Sequence, residues 1–143
     1  MDYAIAISPE AVEGLTVGYA ASNNSTAVNV DSDESTMYAT YATGGFTFGV
    51  QSSDLDHTTA NSDQESMAYG ITYAVNDDLS IGYSYHELET ELTSDVDQES
   101  TGISASYTMG GMTLAGAMNE VDNMAGTDTR DHEGYEFTLS FAF

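Results

Sequence analysis

The chain has 143 residues, 24 acidic side chains, one Arg, no Lys, no Cys and a formal net charge of -23. Nothing in that composition can neutralise a phosphate backbone, so a nucleic-acid partner is excluded, as is docking on anionic lipid by basic residues. The length suits one domain, no disulfide framework exists, and no apolar run reaches the roughly 18–20 residues of a membrane helix, a window that misses membrane strands.

In chain order, "MDYAIAISPE" opens without a basic n-region, alternates over Tyr3–Ser8 and runs into a turn near 9–13. "GLTVGYAAS" from Gly14 alternates again, with Leu15, Val17 and Tyr19 against Thr16, Gly18 and Ala20. An Asn- and Asp-rich stretch over 22–33 leads to "ESTMYATYAT" from Glu34, a turn at 43–45 and "GFTFGVQSS" from Gly45. A second polar stretch, 52–64, precedes "ESMAYGITYAV" from Glu65, a turn at 76–78 and "DLSIGYSYHE" from Asp78. The third, 88–98, precedes "ESTGISASYTM" from Glu99, a turn at 110–111 and "GMTLAGAMNE" from Gly111. The fourth, 119–132, precedes the last segment, "EGYEFTLSFAF" from Glu133.

The unit that opens at Glu34, Glu65, Glu99 and Glu133 repeats about every 33 residues, a spacing that also suits helical solenoids. The local period decides otherwise: apolar residues recur at every second position, which is a strand pattern. Each repeat is a hairpin, and the expected fold is all-β, an antiparallel up-and-down meander of about nine strands. Short turns rich in Gly and Asn-Asp supply the positive φ of tight hairpins at one end. Long loops holding most of the carboxylates gather at the other, an asymmetry found in transmembrane β-barrels.

One face is aliphatic and aromatic; the other is Gly, Ala, Ser and Thr with few charges, among them His86 and Glu136. A soluble sheet usually carries charge on its exposed face and guards its edges with Lys or Pro. Small polar side chains suit the wall of a wide, water-filled bore better than the filled interior of an eight-stranded barrel. Candidate lumen-facing residues are Thr16, Gln51, Thr72, Ser84, His86, Ser106, Thr113, Asn119, Glu136 and Thr138. On the other face, Tyr41, Tyr73, Tyr107 and Phe141 lie toward the short turns and Tyr69, Tyr83, Tyr85 and Tyr135 toward the loops, as two interfacial girdles would.

If strand parity holds to the loop edges, Asp54, Glu65, Glu87, Glu99, Glu120 and Glu133 form a collar above the apolar band. Hard divalent cations take carboxylate oxygens, so the collar is a candidate to share Ca²⁺ or Mg²⁺ with lipopolysaccharide phosphates. A solvated acidic rim without a fixed ion is the simpler reading, and no cofactor is expected. No catalytic set stands out. His57, His86 and His132 are scattered, and G-x-S-x-G, H-E-x-x-H and phosphate-loop motifs are missing, so an enzyme is not expected.

The terminal "EGYEFTLSFAF" and the four preceding hairpins resemble the C-terminal part of a Gram-negative general porin of the alphaproteobacterial type. The resemblance spans essentially the whole chain. It implies residence in the bacterial outer membrane, contact with outer-membrane lipid and lipopolysaccharide, and a homotrimer. It also implies recognition of the last strand by the outer-membrane assembly machinery through Phe141 and Phe143. The barrel would be a 16-stranded one to which this chain contributes about nine strands, since porin barrels run to roughly 16–18 strands. The function it implies is passive diffusion of small hydrophilic solutes and ions, and acidic loops at the mouth would favour cations. The alternatives are a small outer-membrane barrel with a structural or adhesive role, and a soluble acidic β-sandwich binding carbohydrate or Ca²⁺.

Overall fold

A computed structural model describes residues 2–27, 30–58, 63–91 and 96–142. They form one nine-stranded antiparallel sheet in strict sequence order. The strands are β1 (Tyr3–Ile7), β2 (Leu15–Ala27), β3 (Val30–Thr43), β4 (Phe46–His57) and β5 (Gln64–Ala74). They continue with β6 (Leu79–Thr90), β7 (Gln98–Met109), β8 (Met112–Asp122) and β9 (His132–Phe141). The β1 and β9 edges are not paired with each other, so the sheet is open. Nine alternating strands leave β1 and β9 running the same way, and closing them on each other would create a parallel seam.

The short turns are built by local chemistry. Gly44 (φ 57°) and Gly110 (φ 61°) sit in left-handed conformations that close β3–β4 and β7–β8. The β5–β6 turn uses a side chain instead: Asn76 Oδ1 accepts from the backbone N–H of both Asp78 and Leu79, each at 2.9 Å.

At the opposite end the strands run further than hydropathy suggests. Much of the 22–33 and 52–64 stretches, and the edges of 88–98 and 119–132, are strand. Pairing persists because the period of two continues in polar residues, which still form cross-strand hydrogen bonds. Asn23 donates to Asp33, Ser22 to Glu34 and Ser35 to Asp54 across neighbouring strands. Hydropathy is blind to such a strand, since neither of its faces is apolar. The β8–β9 connection is ordered around a 3-10 turn, Met124–Gly126, and leans on the start of β7. There Asn123 Nδ2 donates to the Asp97 carbonyl and the Ala125 N–H to Gln98 Oε1.

No hydrophobic core exists among the described residues: none of their large apolar side chains is buried, and Phe137 is 82 % exposed. The surface is 9947 Å², whereas a compact protein of this mass would expose about 7100 Å². A soluble β-sandwich needs a second sheet to cover the apolar face. Only one sheet is present among the described residues, which overturns that alternative.

Candidate functional site

Two adjacent rows of directly paired residues show how the strands divide the chemistry. One row runs Leu15, Tyr41, Phe48, Ile71, Tyr83, Ile103, Met118, Tyr135 from β2 to β9. Its neighbour runs Thr16, Thr40, Gly49, Gly70, Ser84, Gly102, Asn119, Gly134. Directly paired residues in an antiparallel sheet point to the same side, and adjacent residues point to opposite sides. The first row is wholly apolar and the second is wholly small or polar.

The same register carries the ten lumen candidates. Thr16, Gln51, Thr72, Ser84, His86, Ser106, Thr113, Asn119, Glu136 and Thr138 all share the parity of the second row. Hydroxyl rungs tie this face together at Ser8–Thr16 (2.9 Å), Thr36–Ser53 (2.9 Å), Ser80–Ser106 (2.9 Å) and Thr108–Thr113 (3.0 Å). Ser and Thr thus satisfy part of their own polarity without long side chains. The apolar face is tied by aromatic contacts, Phe46–Tyr73 with centroids 4.3 Å apart and Tyr69–Tyr85 at 4.9 Å.

Glu34 and Tyr38, both missing from the sequence-level set, also lie on the small-residue face. Glu34 pairs with Ser22 and Leu55 near the loop end. Tyr38 pairs with Gly18 and Gln51. The signal for Tyr38 was in "TMYATY": two tyrosines three residues apart on one strand cannot face the same way.

The apolar row also measures the tilt. It starts at the first residue of β2, Leu15, and ends at Tyr135, six residues before the last residue of β9, Phe141. Six residues at about 3.3 Å over seven inter-strand steps of about 4.8 Å correspond to a tilt of roughly 30°. Each residue then climbs about 2.9 Å along the normal.

Height above the short turns sorts the carboxylates. Asp54, Glu87, Glu120 and Glu133 lie eight residues from the short-turn ends of their strands, Glu65 nine and Glu99 ten. That places all six collar candidates about 23–29 Å up, at or above the top of an apolar band about 25 Å tall. Below them no strand residue of the apolar face is charged. The one strand carboxylate at mid-height, Glu136, five residues before Phe141, is on the small-residue face.

The collar is arranged in cross-strand pairs. Asp54 opposes Glu65, Glu65 opposes Glu89, Glu87 opposes Glu99, and Glu120 opposes Glu133. Asp33 opposes Asp56 and Glu99 opposes Asp122 in the same way. Tyr85 Oη donates to Glu87 Oε2 at 2.7 Å, a phenol reaching from the apolar band to the rim. Among the described residues no three His, Cys, Asp or Glu side chains converge on a metal-sized position. No helix among them is long and apolar enough to cross a membrane, which leaves strand crossing untouched. Of the two terminal aromatics, Phe141 pairs with Met112 on the apolar face, and Phe143 lies outside the described residues.

A family model described as Gram-negative porin matches residues 3–123. Among solved structures, a porin refined at 1.8 Å superimposes with a TM-score of 0.77 at 17% identity, covering 96% of this chain and 50% of that one. The NanC porin gives 0.71 at 14% identity, covering 99% and 78%. A variant of the Rh. blastica porin gives 0.60 at 12% identity, covering 93% and 47%. The chain therefore spans about half the length of the first and third of these structures. No curated protein matches it.

Proposed function

The chain belongs to the Gram-negative porin family, and from that premise we propose that it forms part of the wall of a cation-preferring channel for passive diffusion of small hydrophilic solutes and ions. The family places it in the bacterial outer membrane and among channels, not enzymes. One observation carries the channel reading. The apolar face is uncharged for about 23 Å, while the strands' only mid-height carboxylate, Glu136, lies on the small polar face. The first face suits hydrocarbon and the second suits water.

Cation preference rests on charge. The net charge is -23, and the carboxylate rows crowd one end of the sheet. Such a mouth concentrates cations and repels anions. The test is a reversal potential across a planar bilayer holding the complete protein under a KCl gradient. A potential of the sign for K⁺ over Cl⁻ is expected, and a Cl⁻-selective potential refutes the preference.

Partners follow from the same premise. The apolar face would meet lipid and neighbouring copies in a homotrimer, the rim would meet lipopolysaccharide, and the last strand would engage the assembly machinery. Because the collar offers pairs of carboxylates, Ca²⁺ or Mg²⁺ would need further oxygen ligands from lipopolysaccharide phosphates to be held there. The open edges favour a barrel completed by further strands over a small adhesive barrel closed by these nine.

A further inference from the structure

Tyr38 breaks the division of the two faces. The chain has 10 Tyr and 5 Phe, and all but Phe143 are described, which leaves 14. Register puts 13 of these on the apolar face and Tyr38 alone on the small polar one. Its ring lies across Gly18. A Cβ at Gly18 would overlap Cε1 and Cζ of the ring and come within 2.6 Å of its Oη. Glycine at that position is what lets the ring rest against the sheet, and the side chain stays only half-buried. Its neighbours on this face, Thr36, Thr40 and Gln51, are uncharged and polar.

Height adds the second observation. Tyr38 lies five residues from Thr43, the short-turn end of β3, about 14 Å up and near the middle of the band. Glu136 lies five residues from the short-turn end of β9, at the same level and on the same face. Every other strand carboxylate is at least eight residues up. The mid-height wall therefore presents one aromatic face and one carboxylate.

We propose that Tyr38, seated on Gly18, contacts passing solutes and makes this wall favour organic ammonium ions over inorganic cations of the same charge. The inference rests on the channel reading above and deepens it. Glu136 lies six strand pairings away, about 29 Å across the sheet at about 4.8 Å per strand, so its charge attracts every cation alike. At Tyr38 an alkylammonium ion uses the π-face, which a fully hydrated Na⁺ does not, an attraction that amounts to about a two- to five-fold effect at an exposed site.

The experiment measures block of Na⁺ current by tetraethylammonium through the complete protein in planar bilayers. Tyr38→Leu is expected to raise the half-blocking concentration about two- to five-fold. Tyr38→Phe, which keeps the ring face, is expected to leave it unchanged. An unchanged value in Tyr38→Leu, with Na⁺ conductance intact, overturns the proposal, as does a Tyr38→Phe variant that behaves like Leu. If Tyr38→Leu fails to assemble, Gly18→Ala takes its place. The added methyl displaces the ring without removing it, block is expected to weaken, and unchanged block overturns the proposal. Absence of any Na⁺ current in the unmodified protein removes the channel reading, and this inference with it.

Discussion

Ala105 and Ser104 are neighbours on β7 and test which face meets lipid. Ala105 pairs with Ile81 and Gly116 on the apolar face, and Ser104 pairs with Gly82 and Ala117 on the small polar face. They lie four and five residues from Met109, the short-turn end, or about 12 and 14 Å up at 2.9 Å per residue. Both are near the midplane of a band about 25 Å tall. Ala105→Arg sends a guanidinium into hydrocarbon at the depth where it costs about 2–4 kcal/mol. That is a loss of about 30- to 900-fold in the folding equilibrium. Ser104→Arg sends the same group toward water and is expected to cost under about 1 kcal/mol, the range of ordinary surface substitutions. The assay is equilibrium urea unfolding of the complete protein from phospholipid vesicles, read by the mobility of unheated samples on gels. Equal costs for the two variants, or a larger cost at Ser104, would refute the assignment of faces.

Two further predictions concern the ends of the strands. Glu65 is opposed by Asp54 on one side and Glu89 on the other. Glu65→Gln is therefore expected to stabilise by about 0.2–1 kcal/mol per relieved pair at low salt, and by less in 1 M NaCl, where the Debye length is about 3 Å. Ca²⁺ and Na⁺ compared at matched ionic strength separate bridging from screening at this rim: equal unfolding midpoints mean screening alone. At the other end, Asn76→Ala removes an acceptor shared by two backbone N–H groups. It is expected to cost about 1–2 kcal/mol in urea unfolding. A cost below about 0.3 kcal/mol would mean the β5–β6 turn is held by its backbone bonds and not by the Asn side chain.

Much of the molecule is written in the period of two. Alternation over "MAYGITYAV" or "YEFTLSFAF" forces a strand, because only there do consecutive side chains take opposite sides. The hairpin turns announce themselves through Gly44, Gly110 and the Asn76-Asp77 pair, since each needs positive φ or an Asx cap. The two faces followed directly, and with them the lumen candidates. The sequence by itself therefore determined the strands, the meander and the chemistry of each face, because these depend on nothing beyond neighbouring residues.

What it did not determine was how far the strands run and what stands opposite what. Ser22–Asn24 and Asp31–Asp33 have no apolar side, so hydropathy reads a loop where backbone pairing continues. The opposition of Asp54 to Glu65 or Glu87 to Glu99 is a matter of register, which the turn geometry sets from the far end of each hairpin. The level shared by Tyr38 and Glu136 is more remote still. The two residues are 98 positions apart in sequence (136 − 38), and they lie at the same height because the stagger of six successive strand pairings adds up across the sheet. Only the tertiary structure could decide that, since no single hairpin contains both residues.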